Sequence, residues 1–128
     1  MANVLVVEDN KTLNQAYKLI LQKEGHTVRV AYNGQEGLEL IKLKEPDLIL
    51  LDMLMPVMNG VEFLEHFKPS EHPGTTVIIL SNLNEDTEVQ HALKLGAQKY
   101  ILKASTSPQE LIEHVKTAST VKSSSKSN

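Results

Sequence analysis

The chain contains no cysteine and no tryptophan, and only two Phe and three Tyr among its 128 residues. Without cysteine, neither disulfides nor thiolate-held metals can staple the fold, which fits a reducing compartment. So few aromatics argue against a stacking platform for single-stranded nucleic acid. Basic residues do not dominate either. The 13 Lys and Arg face 16 Asp and Glu, for a formal net charge of −3, which leaves no broad basic surface for nucleic acid. No apolar stretch approaches the roughly 20 residues that cross a bilayer. Met1-Ala2-Asn3 leads straight into an apolar run, with no charged and apolar leader of the signal-peptide kind. The expectation is a soluble, cytoplasmic chain that contacts neither nucleic acid nor membrane directly. Its length fits one domain able to bury a hydrophobic core unaided.

Four short apolar runs stand out, at residues 4–7, 48–51, 77–80 and 100–102. Continuous runs of this length suit strands covered on both faces, as in a parallel sheet. Thr27-Val28-Arg29-Val30 alternates instead and suits an edge strand. Helical patterns fill the gaps. Leu13, Ala16, Tyr17, Ile20 and Leu21 form one apolar stripe, closed by Gly25. A second helix spans about residues 33–44, with Asn33 and Glu36 at capping-box spacing and Pro46 beyond its end. A third starts near Asn59 or Gly60 and stops before Pro69. A fourth begins at Asn84, buries Val89, Ala92 and Leu93, and ends at Gly96. The fifth has Ser107 as N-cap, Pro108 at the first helical position and Glu110 at the third, with Leu111, Ile112 and Val115 as its core face. Repeated βα steps predict an α/β fold: a parallel sheet with helices on both faces and right-handed crossovers. The domain is expected over residues 1–118. Residues 119–128, mostly Ser and Lys, read as a flexible tail.

Polar residues end four of the strands: Glu8-Asp9 after the first, Asp52 at the third, Ser81 at the fourth and Lys103 at the fifth. In open α/β sheets this C-terminal rim is where ligands and chemistry sit. Each residue also has a plain reading. Glu8 and Asp9 suit solvated loop acids, and Asp9 suits a helix cap. Asp52 suits a solvated strand end, Ser81 a turn hydroxyl and Lys103 a surface lysine. Their joint placement favours a site. Three converging carboxylates raise one another's pKa unless a cation sits among them. Magnesium fits, because it takes oxygen ligands and keeps waters beside one or two carboxylates and a phosphate. No His or Cys lies near to suggest zinc. The set reads as a divalent-ion and phosphate site with a nucleophile.

With these residues in order, the chain resembles the response-regulator receiver domains of two-component signalling over about residues 3–118. The resemblance rests on Glu8-Asp9, on Asp52 followed by Met55-Pro56 and Asn59-Gly60, on Ser81 after an apolar strand, on Gly96-Ala97, and on Tyr100 shortly before Lys103. It implies a doubly wound, flavodoxin-like five-stranded sheet of order 2-1-3-4-5. It implies that Asp52 accepts a phosphoryl group from a phosphohistidine on a sensor histidine kinase or phosphotransfer protein. Asp9, Asp52 and the Leu54 carbonyl would ligate Mg²⁺, with Glu8 acting through a water. Lys103 and Ser81 would pair with phosphoryl oxygens. Ser81 and Tyr100 would form the switch that repacks the face of helix four, strand five and helix five, where a partner or a second copy would dock. The domain would catalyse only its own phosphorylation and dephosphorylation.

The chain departs from the family pattern in places. Ala104 follows Lys103 where a proline is usual. Asn82 is larger than the usual residue, and Leu54 and Leu83 offer no group to orient water, which predicts slow self-dephosphorylation. An alternative reading is a receiver-like interaction module that works without phosphorylation, against which the intact acidic, hydroxyl and lysine set counts. A flavin-binding relative of the same fold would need a phosphate-cradling loop after the first strand. Glu8-Asp9-Asn10-Lys11 is acidic and lacks glycine. A haloacid-dehalogenase-like phosphatase would need its nucleophile on the first strand and a second Asp two residues on, where Lys11 stands.

Overall fold

Apolar continuity places the strands where the sequence reading expects them. The computed structural model describes residues 1–82 and 86–127, with side chains described through residue 119 except at residue 86. Its strands are β1 (Asn3–Val7), β2 (Thr27–Ala31), β3 (Leu48–Asp52), β4 (Thr76–Ser81) and β5 (Lys99–Leu102). All pair in parallel, in the order β2-β1-β3-β4-β5. Every residue of central β3 is buried, whereas β2 at the edge is fully buried only at Val28 and Ala31. The family order and the edge position of β2 are therefore as expected. No helix among the described residues is long and apolar enough to cross a membrane.

Helices α1 (Lys11–Lys23), α2 (Gly34–Leu43), α3 (Gly60–Phe67), α4 (Asp86–Lys94) and α5 (Pro108–Ser127) cover the two faces. On one face, Val4, Val6, Leu48, Leu50, Ile78, Leu80 and Ile101 pack under α1 and α5 through Tyr17, Leu21, Leu111 and Val115. On the other, Leu5, Val7, Ile49, Leu51, Val77 and Ile79 meet α2, α3 and α4 through Ile41, Phe63, Leu64 and Ala92. Alternate residues along each strand thus serve different layers, as a period of two requires.

The helix ends follow local chemistry. Asn10, not Asp9, caps α1, its Oδ1 accepting from Leu13 N at 2.9 Å. Asn33 caps α2 through Glu36 N, and Asn59 with Glu62 closes a full capping box on α3. Ser107 and Glu110 close another on α5. Gly25 and Gly96, at φ +91 and +119, turn the chain after α1 and α4. The expected start of the fourth helix at Asn84 lies outside the described residues, and the helix is described from Asp86. Helix α5 does not stop at residue 118, where the sequence reading ends the domain and begins a flexible tail. No Gly or Pro follows Pro108 to break it, and its backbone runs to Ser127. Leu111, Val115 and Ala118 are its buried side chains among those described.

The start of α3 presses on the end of β3. Gly60 N donates to Met53 O at 3.0 Å. A Cβ at Gly60 would stand 2.9 Å from the backbone atoms Asp52 O and Met53 Cα. Gly60→Ala should therefore destabilise the fold by about 1–3 kcal/mol, the cost of overpacking a rigid contact. Gly74→Ala, with nothing within 4 Å of the new atom, should shift stability by no more than about 0.5 kcal/mol. Urea unfolding of both variants beside the wild type checks the contrast, and equal losses would remove the close approach as a constraint.

Candidate functional site

Strand alternation decides which rim residues meet. Val4 and Val6 face the α1–α5 layer, and Glu8 is next on that row. Leu48 and Leu50 lead in the same way to Asp52, and Ile101 leads to Lys103. The three charged groups accordingly converge. Lys103 Nζ lies 2.6 Å from Glu8 Oε1 and 3.1 Å from Asp52 Oδ1. Glu8 is 1% exposed and Asp52 3% exposed. Asp9 projects from the exposed β1–α1 turn. Glu8, Asp9 and Asp52 can each place a carboxylate oxygen within 4.8 Å of the others.

Ser81 belongs to the opposite row. It follows Val77 and Ile79 on the α2–α4 side and is buried. Tyr100 is the cross-strand partner of Ile79, so it shares that side with Ser81, and it is 37% exposed. The sequence reading set all these groups on one rim without dividing them. The structure keeps the rim but splits it, with the carboxylates and lysine on one side of the sheet plane and the hydroxyl and tyrosine on the other. Leu54 is half exposed in the loop after β3, and its N–H donates to Asp52 Oδ1 at 3.3 Å. Asn82 is exposed, Leu83 lies outside the described residues, and the Lys103–Ala104 peptide is trans.

The electrostatics follow from burial. Desolvation, then the charge of Glu8, pushes the Asp52 carboxyl up to about 7 against the opposing pull of Lys103. Burial works against the Lys103 ammonium, but its hydrogen bond to Glu8 and the charges of Asp52 and Glu8 win and raise its pKa. Desolvation first, and then the Glu8 and Asp52 charges, hold the Tyr17 hydroxyl near 12. One ammonium therefore does not neutralise the cluster. An all-oxygen donor set with surplus negative charge fits a hard divalent cation, and Glu8, Asp9 and Asp52 are the groups that could hold it.

Two features escape the sequence reading. Asn14 is wholly buried, and its Nδ2 donates to Glu8 O at 2.9 Å and Ala31 O at 3.0 Å. The signal was its spacing, three residues before Tyr17 and seven before Leu21, which puts it on the buried stripe of α1. Val57, at φ +70 and 78% exposed, is a β-branched residue held in the left-handed region, a conformation that costs about 1–3 kcal/mol. Nothing in its own residue type announces that.

A family model described as the response regulator receiver domain matches residues 4–116. The chain belongs to that family. Among relatives, this receiver domain is 35% identical over 114 residues to the nitrate/nitrite response regulator protein NarL of Escherichia coli, covering 88% of this chain and 52% of that one. It is 35% identical over 106 residues to protein PilH of Pseudomonas aeruginosa, covering 80% and 86%. The solved CheY-like response regulator receiver domain protein of Methanospirillum hungatei superposes with a TM-score of 0.91 at 29% identity, covering 98% of each chain. The chain spans about half the length of several curated relatives it matches. A receiver domain of two-component systems is thus the established reading of the fold and the family.

The raised Asp52 carboxyl has a consequence for stability without metal. Between the ordinary value of 3.8 and about 7, the folded receiver domain holds a proton that the unfolded chain has released. Its contribution is fully present below the lower value and is lost as pH rises through the upper one. Asp52→Asn keeps the shape and removes the charge. In chelator-containing buffer, its stability advantage over wild type should grow by on the order of 2 kcal/mol from pH 5 to pH 8. Urea midpoints at both pH values measure this, and parallel curves would mean that burial does not penalise the carboxylate.

Proposed function

We propose that this receiver domain is a phosphoacceptor, in which Asp52 takes a phosphoryl group from a phosphohistidine on a sensor histidine kinase or phosphotransfer protein. The observation that carries this is a buried carboxylate at a strand end, paired with Lys103 and flanked by Glu8 and Asp9. An ionised Asp52 oxygen attacks phosphorus, the bond from phosphorus to the imidazole nitrogen breaks, and the imidazole keeps the electron pair. Mg²⁺ held by Asp9, Asp52 and the Leu54 carbonyl, with Glu8 acting through a water, would supply charge neutralisation for the carboxylates and phosphoryl oxygens. Lys103, already within hydrogen-bond reach of Asp52, pairs with a phosphoryl oxygen as a compact point charge. Positioning and charge neutralisation are the main requirements of such a transfer.

Ser81 donates its hydroxyl to the phosphoryl group and Tyr100 turns inward behind it. Their shared side of the sheet supports this coupling. The repacked face of α4, β5 and α5 then binds an output partner or a second copy of the chain. Residues 1–118 form the working domain, the rest of α5 lies outside it, and the setting is cytoplasmic.

Acetyl phosphate with Mg²⁺ should add one phosphoryl mass to the intact protein, and Asp52→Asn or omission of Mg²⁺ should abolish it. Labelling that persists in Asp52→Asn would sink the assignment. Beryllofluoride, a phosphoryl mimic, should shift amide NMR signals from the rim out to Val89, Leu93, Tyr100 and Leu111. Shifts confined to the neighbourhood of Asp52 would reject the Tyr100 switch.

A further inference from the structure

The β1–α1 turn carries two of the three clustered carboxylates, and like charge should drive it open. Its backbone has few anchors of its own. Glu8 N donates to Ala31 O at 3.0 Å, and Asn10 N donates to Glu8 Oε2 at 3.0 Å. Beyond these, and beyond the Asn10 cap on Leu13 N and the Lys103–Glu8 pair, a further hold comes from one side chain a helical turn further on. Asn14 is 0% exposed. One terminal atom of its carboxamide sits between two carbonyl oxygens, Glu8 O and Ala31 O. Carbonyls only accept, so that atom is the NH₂. Asn14 N in turn donates to Asn10 O at 2.9 Å. The network therefore ties the acidic turn, the first turn of α1 and the end of β2 together. The Oδ1 of Asn14 is buried without a hydrogen-bond partner, which carries a desolvation loss. A leucine at this place would avoid that loss but take the donor away from Glu8 O and Ala31 O, so what the asparagine specifically supplies is a fixed position for the Glu8 carbonyl.

We propose that Asn14 is a positioning residue for the cation end of the site. By fixing the Glu8 carbonyl it sets where the Glu8 and Asp9 carboxylates stand relative to Asp52. This rests on the Mg²⁺-dependent phosphoacceptor reading above. Groups that orient metal ligands from behind typically change metal affinity 10–100-fold when removed.

The test compares wild type, Asn14→Leu, Asn14→Ser and Leu21→Ala. The last is a destabilised control in the core end of α1, away from the turn. Mg²⁺ affinity is measured by calorimetry, stability by urea unfolding, and phosphorylation by acetyl phosphate at saturating Mg²⁺. Both Asn14 variants should bind Mg²⁺ at least tenfold more weakly, with phosphorylation recovering to within about threefold of wild type once Mg²⁺ saturates. Leu21→Ala should lose stability and keep its Mg²⁺ affinity. If Asn14→Leu does not fold, Asn14→Ser, which is too short to reach both carbonyls, carries the comparison. Wild-type Mg²⁺ affinity in a folded Asn14 variant, or a matching loss in Leu21→Ala, overturns the positioning role. A wild-type protein that binds no Mg²⁺ overturns the phosphoacceptor reading itself, and with it this one.

Discussion

Holding Glu8 and Asp52 side by side at the end of an apolar sheet is unfavourable, and Lys103 is what makes it tolerable. Removing one partner from a buried ion pair costs several kcal/mol because the surviving charge is stranded. Here two acids share one base, so the compensation is incomplete by construction. Burial first, and the charge of Glu8 second, raise the Asp52 carboxyl against the pull of Lys103. The rest of the local architecture serves to keep the three groups where chain topology puts them. Gly60 brings α3 against the end of β3, and Asn10 and Asn14 fasten the acidic turn to α1 and β2.

Much of this was legible in the residues, for identifiable reasons. A strand buried on both faces has to be apolar throughout, so β1, β3 and β4 announce themselves. Asn33, Asn59 and Ser107 sit ahead of helical patterns, where a short polar side chain has one obvious use. Asp52 and Lys103 stood out because a charge directly after an apolar run has no packing role. Asn14 was not legible in the same way. An asparagine in an amphipathic helix is normally solvated, and only its phase relative to Tyr17 and Leu21 shows that it points inward. The positive φ of Val57 depends on the tight turn into α3 rather than on its side chain. The length of α5 also escaped, because a Ser/Lys composition argues for disorder while offering no residue that ends a helix.

The division of the rim into two rows was equally implicit. It follows from counting in twos along β4 and β5, yet it shows only when their register is fixed, with Ile79 opposite Tyr100 and Leu80 opposite Ile101. Convergence at a rim and convergence on one face are different statements. A sequence read strand by strand supplies the first, and pairing between strands supplies the second.

That division gives the sheet two separate neighbourhoods. By strand alternation Asp52 and Lys103 follow the row that packs under α1 and α5, whereas Ser81 and Tyr100 follow the row on the α2–α4 side. The sheet between them is a wall one residue thick, and each strand residue belongs to one side only. A charge change at Asp52 therefore reaches the far layer only around the open end of the strands, where the two rows meet at the rim.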